Sequence, residues 1–280
     1  MPTNILKLDE LVKNNTRFFY FPEYQHQAEE ILSELINAKT TRSLNGSRKK
    51  RLLNLSDSSK LIIYIERDED DLYRSEREKN VNYSQKEILI ARSLSELAEF
   101  SDKVGDVKFS KPLGYIEEGK QRKSIFLYEK GLESNKFGVG IHPRTFAYFV
   151  MLYNGILHRE GAKDFMLTKR GIYVVDFEHA EFVQEKSINW NIYRILSFNQ
   201  VNPGINKFTK EDLYTFERMY TLERKKEILI GNLNKNAPEL SKRLIPYLTK
   251  RGFFNGEVVL GPAYDTIMKV KEIISKPQYI

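Results

Sequence analysis

The first periodic pattern along the chain runs from Pro22 to Ala38, where Ala28, Ile31, Leu32, Leu35 and Ile36 share one helical face and Pro22 suits a first-turn position. It predicts a helical N-terminal extension over residues 1–39. Residues 40–44 then lead to Asn45-Gly46, a strong tight-turn signal, and to a strand through Arg51-Leu52-Leu53-Asn54-Leu55. After the turn residues Asp57-Ser58-Ser59, the run Leu61-Ile62-Ile63-Tyr64-Ile65 is short, β-branched and aromatic, as a buried strand should be. Together these pieces predict a three-stranded meander.

Residues 66–79 mix both charge signs with few apolar positions, which suits a surface insertion, either an exposed linker or a mobile helix. Ser84-Gln85-Lys86-Glu87 has the spacing of a capping box, and Ile88, Ala91, Leu94, Leu97 and Ala98 continue a helical stripe to about Phe100. Lys111–Glu117 and Ser124–Glu129 read as strands of a hairpin around Glu118-Gly119-Lys120-Gln121. From Arg144 to about Leu157 the pattern is apolar all round, a buried helix, and from Asn189 onward helical stripes dominate. Strands first and helices after predict an α+β fold of unlike lobes, a β-rich part over residues 40–131 and a mostly helical one over 132–280.

Composition narrows the chemistry. The 280 residues, 41% of them hydrophobic, suffice for a sizeable core, and the absence of Cys removes disulfides, thiolate metal sites and Cys nucleophiles. His26, His142, His158 and His179 are too scattered for a metal motif. No apolar run nears the roughly 20 residues of a bilayer span, so a soluble, cytoplasmic protein is expected. Cys avoidance with abundant Lys, Glu, Ile and Tyr suggests a hot or archaeal host. Lys plus Arg (45) against Asp plus Glu (38) gives +7, which favours anionic partners and leaves nucleic acid open without pointing to it. The basic cluster Arg48-Lys49-Lys50-Arg51 fits the solvated side of a strand or loop.

The chemistry concentrates in His158-Arg159-Glu160-Gly161-Ala162-Lys163-Asp164-Phe165-Met166-Leu167 and, after a Lys-Arg-Gly turn, Ile172-Tyr173-Val174-Val175-Asp176-Phe177-Glu178. Two short β-type pieces flank the turn. A hairpin there would bring Glu160, Asp164, Asp176 and Glu178 towards one edge, and gathered carboxylate oxygens suit Mg²⁺ or Mn²⁺. A neighbouring carboxylate can accept or orient a hydroxyl proton.

His158-Arg159-Glu160 resembles the His-Arg-Asp catalytic loop of protein kinases, and Asp176-Phe177-Glu178, which begins 18 positions after His158, resembles Asp-Phe-Gly. Residues 111–117 and 125–131 are similar to the fourth and fifth strands of a kinase small lobe, and Asn191–Leu196 to a large-lobe helix. The His-x-Glu and Asp-Phe-Glu forms most resemble a divergent archaeal family of predicted serine/threonine kinases. The resemblance implies a two-lobed protein-kinase-like fold, ATP and Mg²⁺ or Mn²⁺ as cofactors, and a protein or small hydroxyl compound as phosphoacceptor.

By position, the resemblance makes Glu160 the catalytic base, with His158 and Lys163 in the same catalytic loop. Asp176, with Asp164 and Glu178, becomes the metal set, and residues 129–131, including Glu129 and Gly131, the adenine hinge. Gly46 lies in the one tight loop placed to cover phosphates, Arg67 is the better placed strand cation, and Glu87 its helix carboxylate unless the capping box occupies it. Two departures stand out: Phe165 replaces the second metal-binding Asn, and no Gly-x-Gly-x-x-Gly precedes residues 61–65. They keep a second expectation open, a pseudokinase that binds nucleotide as a regulatory or scaffolding module. Residues 181–189 are too short for a long regulated activation segment.

Overall fold

A computed structural model describes residues 7–37, 42–44, 49–65, 82–96, 107–119, 121–128, 132–133, 151, 154–158, 165–168, 171–178, 180–182 and 264–275, with isolated helical positions between 227 and 249. The described part is α+β. Its largest unit is a seven-stranded antiparallel sheet in the order β1-β2-β7-β8-β5-β4-β3. Here β1 is Asp9–Lys13, β2 Thr16–Tyr20, β3 Arg42–Leu44, β4 Lys49–Asn54, β5 Lys60–Ile65, β7 Pro112–Glu118 and β8 Gln121–Leu127. The predicted meander is present as β3, β4 and β5, and the predicted hairpin as β7 and β8, with β8 closing back onto β5 in the register Ile63 opposite Ile125.

Strict alternation splits the sheet into two buried faces. One face carries Phe18, Leu53, Leu61, Ile63, Ile116 and Ile125, and the helix α1 (Gln25–Asn37) lays Ala28, Ile31 and Leu32 onto it. Helix α1 is tethered further at the β4–β5 turn, where both Glu30 carboxylate oxygens accept from Ser56, from its N–H at 2.6 Å and its hydroxyl at 2.9 Å. The opposite face carries Tyr64, Tyr115, Ser124 and Phe126, all buried, beneath the helix α2 (Tyr83–Glu96), which packs on β7 and β8. A third helix, α3 (Tyr264–Ser275), seals α2 from outside, with Ile267 and Val270 fully buried.

The N-terminal extension is not helical throughout. Residues 9–20 form a hairpin around Asn14 and Asn15, whose φ values of 53° and 61° give the left-handed turn that matches strand twist. The hairpin joins the sheet because β2 pairs with β7. That pairing needs Gly114: a Cβ there would lie 2.0 Å from the Phe19 carbonyl oxygen.

The start of α2 also differs from the Ser84 capping box. Asn82 is the cap, its Oδ1 accepting the Gln85 N–H at 2.9 Å, while Ser84 Oγ is buried with no hydrogen-bond partner among the described residues. Glu87 therefore lies past the first turn and is fully buried. The helix expected to reach Leu157 stops earlier. Met151 is helical, Asn154 and Gly155 turn, with Gly155 at φ 81°, and Ile156–Leu157 is a strand, because glycine takes the left-handed conformation that ends a helix.

Short strands complete the architecture. A four-stranded sheet in the order β6-β12-β11-β9 comprises β6 (Val107–Phe109), β9 (Leu132–Glu133), β11 (Phe165–Thr168) and β12 (Gly171–Val174). Its parallel β6–β12 pairing continues in the Ser110 N–H, which donates to the Val174 carbonyl at 3.0 Å, and ties this sheet to the chain entering β7. Strand β10 (Ile156–Leu157) pairs with β13 (Glu181–Phe182). Among the described residues, no helix is long and apolar enough to cross a membrane.

Candidate functional site

The turn between Lys-Arg and Gly was expected to fold residues 165–175 into a hairpin, and β11 and β12 pair in the register Phe165 opposite Val174 and Thr168 opposite Gly171. Just beyond β12 the chain leaves the sheet as Val175-Asp176-Phe177-Glu178, and ahead of the hairpin β10 ends at Leu157, next to His158. The β10–β13 pairing encloses this stretch: Ile156 sits opposite Phe182 and Leu157 opposite Glu181. Two segments 18 positions apart in sequence thus become neighbours.

His158 makes the junction. Its imidazole Nε2 lies 3.2 Å from the Val175 carbonyl oxygen, and its ring meets the Phe177 ring edge-on at 5.3 Å between centroids. Phe177 is fully buried and also approaches Phe109 at 6.3 Å, so the aromatic contact reaches the parallel β6 strand. Asp176, held between these two contacts, adopts φ 64°. A left-handed non-glycine residue is uncommon and costs about 1 kcal/mol or more, with Asp among the residues that tolerate it best. The backbone turn continues with the Ala180 N–H donating to the Phe177 carbonyl at 3.1 Å.

The neighbourhood is polar and dry at once. His158, Asp176, Glu178 and Asn154 are all at most 8% exposed. Ionisable groups are seldom buried to this degree unless they are paired, and two of them, Asp176 and Glu178, flank the buried Phe177 in sequence. The Phe177 ring is a member that the spacing of carboxylates alone does not reveal; the signal available was its place between Asp176 and Glu178.

Of the other expected site residues, Glu87 is described and sits in the middle of α2, fully buried. Glu160, Lys163, Asp164, Gly46, Arg67, Glu129 and Gly131 lie outside the described residues. Phe165, at the position expected of a second metal ligand, is in β11. Lys60, which opens β5, is exposed. Among the described residues, no three His, Asp or Glu side chains converge as a metal-binding group. The chain matches no protein-family model and none of the curated proteins at a significant level.

Proposed function

We propose that the chain is an ATP- and Mg²⁺- or Mn²⁺-dependent phosphotransferase of the atypical serine/threonine kinase type, built on a two-lobed protein-kinase-like body. The observation that carries the reading is the His158 junction: the ring bridges the Val175 carbonyl and the Phe177 face, presenting Asp176 from a left-handed backbone between them. The two motifs on which the kinase resemblance rests are thereby physical neighbours. Further support comes from the order of the sheet-bearing part, a three-stranded meander, then a helix with a buried glutamate, then a hairpin whose second strand returns beside the meander. That order is the one the resemblance implies for a small lobe.

Asp176 and Glu178 offer hard oxygen donors of the kind that Mg²⁺ and Mn²⁺ prefer, and Mg²⁺ commonly needs only one or two protein carboxylates. Such an ion, when bound with nucleotide, neutralises phosphate charge. Positioning and charge neutralisation supply most of the catalysis in phosphoryl transfer. In the proposed reaction the acceptor hydroxyl oxygen bonds to the γ-phosphorus as the bond to the β–γ bridging oxygen breaks. ADP leaves, and the hydroxyl proton passes to a carboxylate, the role assigned by resemblance to Glu160.

The test is transfer from γ-phosphate-labelled ATP, with Mg²⁺ or Mn²⁺, to the protein itself or to a mixed extract. Labelling abolished by Asp176→Asn and by Glu160→Gln is the expected result. Absence of labelling above those controls would overturn the active-enzyme reading.

A second reading has its own observation. Phe165, in β11 opposite Val174, is a residue type with no donor atom for a metal ion. A pseudokinase that binds nucleotide without turnover would show a metal- and ATP-dependent rise in melting temperature with no labelling.

A further inference from the structure

We propose that the N-terminal segment of residues 17–24 is a splint for α2 and that Arg92 is the positioning residue through which it acts, fixing where the buried Glu87 sits over the sheet. The segment runs along β7, on which α2 packs. Strand β2 places Arg17 opposite Glu117 and Tyr20 opposite Gly114 on β7. The chain then continues through Phe21, whose N–H donates to the Leu113 carbonyl at 3.0 Å, into the short helical turn Pro22–Tyr24.

It meets α2 directly at the helix's C-terminal end and through Glu117 of β7 at its N-terminal end. At the N-terminal end, the capping residue Asn82 donates its side-chain amide to Glu117 at 3.0 Å, and the Arg17 guanidinium stands 3.8 Å from the same carboxylate. At the C-terminal end, the Arg92 guanidinium is ion-paired with Glu23 and with Glu96, and lies over the Phe21 ring at 4.6 Å from its centroid. Tyr24 lies close enough to feel the Arg92 charge as well. Burial pushes the Tyr24 hydroxyl and the Glu96 carboxyl up from their ordinary values and Arg92 pulls both back, as expected of groups sharing one partly dry space.

The two spans agree in length. From Asn82 to Arg92 a helix advances about 15 Å. From Arg17 to Glu23 an extended chain covers at most about 20 Å, and the short helical turn shortens it. Glu87 falls midway between the two anchors and is fully buried. Of the four groups around Arg92, three (Phe21, Glu23 and Tyr24) belong to the extension, so its charge spends its contacts on holding α2 to that segment and not on solvent.

Amide exchange on the full chain separates this from general stabilisation. Glu23→Gln removes one charge from a half-exposed partner and should speed exchange of the α2 amides about threefold to fivefold, with the β7 and β8 amides unchanged. Arg92→Gln should speed them about tenfold or more, and Arg92→Lys should recover part of the protection by keeping the charge. Unchanged α2 exchange in Glu23→Gln, or equal acceleration across α2, β7 and β8, would overturn the splint; Glu23→Gln decides alone if Arg92→Gln does not fold.

The consequence for Glu87 rests on the phosphotransferase reading and has its own arm, a thermal-shift titration with ATP and Mn²⁺. Glu23→Gln should weaken apparent affinity in proportion to the fraction of molecules in which α2 no longer holds Glu87 in place. Equal affinity in a variant with loosened α2 would overturn the positioning role. A wild-type chain with no ATP response would instead sink the phosphotransferase reading and leave amide exchange to judge the splint.

Discussion

The seven-stranded sheet and the short-stranded region around His158 bury different kinds of residue. On the α1 face of the sheet, Phe18, Leu61, Ile63 and Ile125 fill the interior, and the charged groups that are buried there, such as Lys123 paired with Glu118, reach the rim. Around Phe177 the interior instead holds His158, Asp176, Glu178 and Asn154, and its backbone includes a left-handed Asp. The first arrangement is what apolar alternation produces by itself. The second stores cost in buried polar groups and unusual backbone, which natural chains retain where the chemistry needs it.

If that division is right, equal losses of stability in the two regions should have unequal effects on ligand. Phe18→Ala and Phe177→Ala each remove a fully buried ring and should each cost about 4 kcal/mol in chemical denaturation. Only Phe177→Ala should abolish the rise in melting temperature produced by ATP with Mn²⁺ under conditions where the variant is still folded. A Phe18→Ala protein equally insensitive to ATP would erase the distinction.

Gly114→Ala comes next, at about 3 kcal/mol, because its Cβ meets backbone atoms of Phe19 and Tyr20 that cannot swing away. Limited proteolysis should then cut the β1–β2 hairpin first. Asp176→Asn keeps a residue type at home in the left-handed conformation and should leave the unliganded melting temperature nearly unchanged. It should remove the ligand's contribution, about 2.7 kcal/mol at a ligand concentration 100 times the dissociation constant.

The smallest effects distinguish two accounts of one helix terminus. Asn82→Ala should cost about 1 kcal/mol as a lost cap, whereas Ser84→Ala should fall within about 0.5 kcal/mol of wild type. The reverse order in urea midpoints would restore the capping box.

Much of the sheet was legible in advance for reasons that are local. Strands β5, β7 and β8 carry β-branched and aromatic residues bounded by turn residues, β4 carries the Leu52-Leu53 pair, and a turn as plain as Asp57-Ser58 announces where one strand stops. The β1–β2 hairpin escaped because Asp9-Glu10-Leu11-Val12-Lys13 is charged and largely exposed, as an edge strand should be, leaving the Asn14-Asn15 pair and the aromatic run Phe18-Phe19-Tyr20 as its markers. The Ser84 motif misled because its spacing recurs inside a helix whose cap lies two residues earlier.

In the candidate site, the hairpin and the two motif fragments could be read from spacing, but the His158 contact with Phe177 could not, since it depends on β10 pairing with β13. By itself the sequence determined the meander, the β7–β8 hairpin and the helices α1 and α2, and which residues could do acid–base or metal chemistry, since periodicity and side-chain type are local properties. Tertiary structure decided that Glu87 is buried past its helix cap, that Arg92 meets Glu23, and that Asp176 stands between two anchored neighbours. Those outcomes follow from which distant strands pair and in what register, and burial and ion pairing come into being only once that long-range register is set.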